Sequence, residues 1–469
     1  MMMSTGKIVY PYIPNSVPEI KEAMLRECGA KNIMELYEEI PKSLLFKGRL
    51  NLPEPILDEY SIKRHTEDLL RKNQNTKDNL CFLGAGCAPH YVPAVCDEIN
   101  GRGEFLTAYV GESMADHGKW QALFEYCSLM GELLDMDILS VPQYDGAQAA
   151  CSSVRMANRI NNRNEVLLPQ SMNPEINMTM KNYLNHMPHP DIEMTFIDFD
   201  RQTGLLDLND LRKKISDQTT AVLIENPTYL GIIETQAEEI GKIASKSGAE
   251  FIVYTDPISL GVMAPPAQYG ATIACGDFHP LGNHLHAGGG QGGFIATNDD
   301  MKYVSEFKDL MYGIADTTVE GEYGFGEVLF DRTSYGTRDK ANEFTGTSTG
   351  LWAITAGVYL SLMGPKGMQE VGQTIMQHSQ YAAKVLSGIK GVKLVFTTPF
   401  FKEFVLDYNQ TGKSVAQINK ALLEFKIFGG KDLSFEFPEL GQSALYCVTE
   451  IHTKCDIDKL AYALAAVTR

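Results

Sequence analysis

Between residues 119 and 134, Ala122, Leu123, Tyr126, Leu129, Met130 and Leu133 recur at helical spacing, which predicts an amphipathic helix. Shorter apolar runs follow at 165–168, 194–197, 220–224 and 250–254, each bounded by polar residues, and these read as buried strands. Helical stretches such as 208–215 and 237–247 separate several of them. That alternation predicts parallel β-α-β units in an α/β layer. A polar stretch over 331–349 precedes a long helical region at 350–389, and 392–469 alternates strand and helix like a small α+β domain.

Before residue 80 the pattern thins. A helix is predicted to open near Asn15 and run through Leu25, with Ser16 able to cap it and Pro18 and Glu19 suited to its first turn. Ile40-Pro41 and Leu52-Pro53-Glu54-Pro55 are rigid extended breaks, and 59–73 reads as a second helix. Few apolar residues per turn predict an arm that wraps over another surface. The expected divisions are an arm over 1–80, a large domain over 81–345 and a small C-terminal domain over 346–469.

The 469 residues, 44% of them hydrophobic, suffice for more than one compact core. A net charge of −18 argues against binding a phosphate backbone and fits a soluble metabolic protein, so no nucleic acid partner is expected. Nine cysteines form no CxxC pair, no N-terminal apolar run suggests a signal peptide, and no stretch has the length of a membrane span. A reducing cytoplasm is the expected setting, with no membrane partner.

The candidate chemistry gathers around one strand and one loop. The run 251–256 ends in Asp256, and a carboxylate there faces the ligand crevice of an open α/β sheet. In pyridoxal-phosphate enzymes of the aspartate-aminotransferase fold such an aspartate pairs with the pyridinium nitrogen, and a lysine some twenty-odd residues on holds the cofactor as a Schiff base. Here Pro280 stands where that lysine is expected. With Pro257 directly after it, Asp256 also suits a helix cap.

Beyond Pro280, Gly288, Gly289 and Gly290 would let backbone N–H groups approach an anion, or simply allow tight packing. His279, His284 and His286 lie within eight residues and suit general acid–base work or carboxylate recognition. The same spacing would admit zinc, but no HExxH helix accompanies it, and a structural role is equally open. Asn226 opens an Asn-Pro-Thr turn of the kind found near the cofactor ring in this fold, or an ordinary turn. Asp145, in Tyr144-Asp145-Gly146-Ala147, sits where phosphate-cupping turns occur. It would repel a phosphate dianion and suits a helix N-cap. Arg338 is a candidate carboxylate or phosphate clamp, or a surface arginine.

Several segments, in order, carry a resemblance. They are Tyr12-Ile13-Pro14-Asn15, Phe82-Leu83-Gly84-Ala85-Gly86, His90-Tyr91-Val92-Pro93-Ala94, Gly103-Glu104-Phe105-Leu106-Thr107-Ala108-Tyr109, Gln121-Ala122-Leu123-Phe124-Glu125-Tyr126, Tyr144-Asp145-Gly146-Ala147 and Gly364-Pro365-Lys366-Gly367. Together, from about residue 8 to the C-terminus, the chain resembles the glycine-cleavage P-proteins, on the side of subunit 1 of the split glycine dehydrogenase (decarboxylating).

The resemblance implies an aspartate-aminotransferase-like large domain (pyridoxal-phosphate fold type I) with a mostly parallel sheet, plus a small α+β C-terminal domain. It implies a homologous subunit 2 that carries the cofactor lysine, while subunit 1 completes the active site. The implied reaction is glycine decarboxylation with transfer of an aminomethyl group to the lipoyl arm of H-protein. His90 and Tyr91, with Asp145 and Arg338, become candidates for substrate or interface contact. Asp256, Asn226 and the three glycines become candidates for cofactor contact.

The chain departs from the family pattern at 110–118, 276–282 and 338–344, and Ala88-Pro89-His90-Tyr91 replaces the usual Tyr-Asp-His-Tyr. These departures leave two alternatives: a paralogous subunit acting on a different amino acid, and a non-catalytic scaffold.

Overall fold

The structure is a computed structural model that describes residues 17–48, 50–106, 117–185, 191–286, 291–341, 343–344, 346 and 348–469. Its contacts divide into two units, 1–73 and 74–469.

In the first unit, the helix Pro18–Glu27 starts after Val17, which offers no side-chain cap; Ser16 lies outside the described residues. The helix Glu59–Leu70 is capped by Asp58, which accepts the Ser61 N–H at 2.7 Å. Among the described residues of this unit only Ala30 is buried, while apolar side chains such as Leu44, Phe46, Leu52 and Leu57 are largely exposed.

The second unit is built on a seven-stranded sheet. Its strands run, from edge to edge, Ile138–Leu139, Gly293–Thr297, Ile273–Asp277, Glu250–Tyr254, Thr219–Glu225, Glu165–Pro169 and Glu193–Ile197. The last five are mutually parallel; Gly293–Thr297 is antiparallel to Ile273–Asp277, and Ile138–Leu139 is antiparallel to Gly293–Thr297. Alternating side chains divide the core between two faces. Leu167, Val222, Ile224, Phe251 and Val253 pack on one side, and Val166, Leu168, Ala221, Leu223 and Ile252 on the other. Both faces are therefore dry, and the parallel strands aim their C-terminal ends at one edge, where Glu225, Asp256 and Asp277 emerge.

The predicted long helix spans Gly350–Ser387 but breaks at Gly364, whose φ of 58° and ψ of −176° interrupt it just before Pro365. Beyond it a small lobe carries a four-stranded antiparallel sheet, ordered Lys393–Leu394, Glu403–Asp407, Ser443–Cys447, Lys431–Asp432. Two of its helices, Val415–Leu422 and Lys454–Val467, open with capping boxes. The strand Leu80–Cys81 pairs in parallel with Ile427–Phe428, so the chain passes through the small lobe before it enters the large one. No described helix is long and apolar enough to cross a membrane.

The lobes meet closely at Gly231. Its φ is +87°, its carbonyl accepts the Phe401 N–H at 3.3 Å, and an added Cβ would fall on the Glu403 backbone carbonyl. Gly231→Ala combines a left-handed backbone with a clash against an immovable group. It is expected to cost about 3 kcal/mol, read as a lowered denaturant midpoint at unchanged m-value.

Candidate functional site

A cavity of about 70 Å³ opens at the C-terminal edge of the parallel strands, between the two lobes. Asp256 enters it from the residue pair that follows Glu250–Tyr254, because the strand stops there and a 3-10 turn, Pro257–Gly261, begins. One carboxylate oxygen caps that turn by accepting the Ile258 N–H at 3.1 Å. The other lies 2.6 Å from the Lys402 Nζ, which reaches across from the small lobe. Only 12% of the lysine side chain and 18% of the aspartate are exposed. Burial alone would raise Asp256; the Lys402 ammonium outweighs it and holds the carboxyl below its ordinary range. The same burial would lower Lys402, and Asp256 more than reverses it, so the amine stays charged.

Behind Lys402 stands His90. Its Nε2 is 3.3 Å from the ammonium and its Nδ1 2.9 Å from Glu450 Oε2. The other Glu450 oxygen accepts the Tyr91 N–H at 2.7 Å. Burial would raise Glu450, but the N–H groups of His90 and Tyr91 that it accepts outweigh burial and hold the carboxyl below its ordinary range. On the cavity's second wall Glu403 accepts the Ala85 N–H at 2.6 Å.

The helix Gly146–Asn161 gives its first N–H to Asp277, which lines the same cavity, and a helix N-terminus there would suit an anion. Two of the chain's own carboxylates already occupy that end. Asp145 is the N-cap and accepts the Gln148 N–H at 2.7 Å. Asp277 accepts the Gly146 N–H at 3.2 Å and the His279 N–H at 2.7 Å. The space directly over Gly146 is filled by the Tyr254 hydroxyl and Asp277. Burial pushes Asp277 up to about 7, and it pushes Glu225, deeper in the cavity, up to about 8. Glu225 accepts the Tyr229 N–H at 3.0 Å and the Asn173 N–H at 3.2 Å.

These residues do not fit pyridoxal phosphate bound by this chain. Pro280 lines the cavity with no amine to form an imine, the aspartate that would face the ring nitrogen already holds a cation, and carboxylates fill the phosphate end.

The other expected site residues are only partly brought together. His90 joins Asp256 through Lys402, with Tyr91 beside it, 64% exposed. Asn226 is buried but turns its side-chain oxygen away, to the Glu234 N–H at 3.1 Å; Pro227 and Thr228 line the cavity instead. His279 is buried, and burial lowers it to about 3, so it is neutral near pH 7. His284 is tied to Asp97 at 2.8 Å, and His286 stacks on Trp352 with ring centroids 4.6 Å apart. The three share the wall of a neighbouring cleft of about 380 Å³ with His90 and His452. Among the described residues no three His, Cys, Asp or Glu side chains are grouped so as to hold a metal. Arg338 is exposed, with φ at +54°. Gly288, Gly289 and Gly290 lie outside the described residues, as does the segment 107–116.

Lys402, Glu403, Glu450 and Glu225 were not anticipated. The one signal for the first two was a Lys-Glu pair inside Phe400-Phe401-Lys402-Glu403-Phe404, where charges interrupt an otherwise buried run.

Solved structures place the architecture among the fold-type-I pyridoxal-phosphate enzymes. A sphingosine-1-phosphate lyase of Burkholderia pseudomallei K96243 superposes with a TM-score of 0.65 at 14% identity over 91% of this chain and 94% of its own, a likeness of fold alone. A glycine decarboxylase (P-protein) of the glycine cleavage system, solved in inhibitor-bound form, superposes far better, with a TM-score of 0.84 at 30% identity over 98% of this chain and 100% of that one. The family model of the glycine cleavage system P-protein matches residues 11–464, and the chain belongs to that family.

Relatives span the whole length. One from Staphylothermus marinus, named "Probable glycine dehydrogenase (decarboxylating) subunit 1", is 39% identical over 98% of both chains. One of the same name from Saccharolobus islandicus is 36% identical over 96% of both.

Proposed function

We propose that this chain is the subunit without the cofactor lysine in a heteromeric, pyridoxal-phosphate-dependent glycine decarboxylase, a cytoplasmic enzyme that passes an aminomethyl group to the lipoyl arm of H-protein. The observation that carries this reading is the internally satisfied site, Pro280 with the Asp256–Lys402 pair, in a chain whose full-length relatives are named as subunit 1 of glycine dehydrogenase. The cofactor, an electron sink for the carbanion left by decarboxylation, is bound covalently by a lysine of the homologous subunit 2.

This chain contributes surface to that site. Exposed Tyr91, Arg338, His284 and His286 are the side chains offered for substrate or interface contact, with His279 buried in the same loop, and Gly288, Gly289 and Gly290 are the residues we assign to contact with the partner's phosphate. His279, held neutral, is suited to donate or accept one hydrogen bond and not to carry charge.

The test is reconstitution. Neither this chain nor the lysine-bearing subunit is expected to exchange bicarbonate with the glycine carboxyl alone, and the two together with H-protein are. The isolated chain should show no internal-aldimine absorbance and fix no cofactor on borohydride treatment. Full activity of the lysine-bearing subunit alone would make this chain a scaffold. Activity of the pair only on another amino acid would make it the paralogue that the altered 276–282 and 338–344 segments suggest. Turnover by this chain alone would overturn the proposal.

A further inference from the structure

Asp256, Lys402, His90 and Glu450 form a continuous line from the centre of the molecule to its surface. The distances along it are 2.6 Å from Asp256 Oδ2 to Lys402 Nζ, 3.3 Å from Nζ to His90 Nε2, and 2.9 Å from His90 Nδ1 to Glu450 Oε2. An ammonium has no lone pair, so His90 Nε2 accepts from it and Nδ1 donates to Glu450. The line crosses from the large lobe to the small one. Asp256 follows a strand of the seven-stranded sheet, whereas Lys402 and Glu450 flank strands of the four-stranded one. His90 belongs to the crossing segment between the strand Leu80–Cys81 and the helix Ala94–Asn100. At its outer end, Glu450 fixes the Tyr91 backbone at 2.7 Å.

We infer that the Asp256 end of the cavity is a site for a small organic monocation bearing N–H donors, that this chain fills it permanently with its own Lys402 ammonium, and that this internal cation bolts the small lobe to the large one and positions the His90–Tyr91 segment. Three features support it. The carboxylate is nearly buried and has a single cationic partner among the described residues, so the site is not satisfied without a cation. Free space of about 70 Å³ adjoins the pair, so a detached ammonium has room to enter if the lysine stem is removed. The ammonium also lies 3.3 Å from an acceptor, His90 Nε2, which gives a second N–H a place to go. Lys402 is thus a positioning residue for whatever surface His90 and Tyr91 present.

The experiment uses the full chain with Lys402→Ala. Amide hydrogen exchange at Ala85, Tyr91 and the strand Glu403–Asp407 is expected to accelerate about tenfold or more. Millimolar n-propylammonium, the missing end of the side chain, should bind the variant and restore slow exchange, and should not bind the unaltered chain. Tetramethylammonium, a cation without N–H donors, at the same ionic strength should do neither. Equal effects of the two cations, or equal binding of n-propylammonium to the variant and the unaltered chain, overturn the inference. If Lys402→Ala does not fold, Asp256→Asn/Lys402→Met replaces the pair by neutral groups of similar shape. It should fold, ignore n-propylammonium and still exchange faster at Tyr91, and unaltered exchange there would show that no bolt exists.

Discussion

An Asp256→Asn chain is expected to unfold about 3–5 kcal/mol more readily than the unaltered protein. Asparagine keeps the shape of the aspartate and can still accept from the Ile258 N–H, so the 3-10 turn survives. The charge is what disappears, and it leaves an ammonium that is 12% exposed, 3.3 Å from the His90 ring nitrogen and without its ion-pair partner. An uncompensated buried charge costs far more than a neutral pair. The double variant with Lys402→Met should therefore recover much of the loss, giving a coupling energy of at least about 2 kcal/mol in a double-mutant cycle. Denaturant midpoints at matched m-values measure it. A single-variant loss under about 1 kcal/mol would put the pair in the class of surface salt bridges and remove the reason to regard the site as filled.

The second large effect is on the pH dependence of stability. Glu225, at about 8, and Asp277, at about 7, are held protonated in the fold by burial but ionise at ordinary carboxylate pH once the chain unfolds. Between those limits the folded state binds more protons than the unfolded one, so stability falls as pH rises, by about 1.4 kcal/mol per pH unit for each group. The loss runs from about pH 4 to 7 for Asp277 and from about 4.5 to 8 for Glu225.

Neutral buried histidines work the other way. His279, lowered to about 3 by burial, makes stability rise with pH until the unfolded imidazole has lost its proton, near 6.5. The two opposing trends separate just above that point, where the carboxyls still titrate and the buried thiols, raised by burial, do not yet contribute. Urea unfolding from pH 6.5 to 8 should show a steady decline. Glu225→Gln, which keeps an oxygen for the Tyr229 and Asn173 N–H groups, should flatten it. A slope unchanged by that substitution would mean that Glu225 is ionised in the fold.

The layer architecture was legible because buried parallel strands leave a strong trace. The apolar runs at 165–168, 220–224 and 250–254 appear within one or two residues as Glu165–Pro169, Thr219–Glu225 and Glu250–Tyr254. Strands such as Ile273–Asp277 and Gly293–Thr297 were harder, since glycine and polar ends dilute the run. Asp256 was legible too, because its position at a strand end is local information. Its partner was not. Lys402 is 146 residues away, and only the folded chain brings the ammonium to 2.6 Å.

The histidine group shows the converse. Proximity in sequence suggested a joint task; the three do line one cleft, but with different surroundings, His279 enclosed, His284 paired with Asp97 and His286 against Trp352. Side-chain direction in an irregular loop cannot be read from spacing, because no fixed period governs it. Asp145 went the other way: a cap is a three-residue motif, and it was recognisable before any contact was known.

The way the cavity is furnished also bears on descent. To hold the cofactor itself, such a chain would need a lysine for Pro280, an empty anion end in place of Asp277, and a bare Asp256. Freeing Asp256 strands a carboxylate, and adding a second amine beside Lys402 sets like charges together. Under the division of labour proposed above, each first step is harmful before the others arrive, and dependence on a second gene product would be entrenched like a ratchet: natural selection could tune the alliance far more easily than dissolve it.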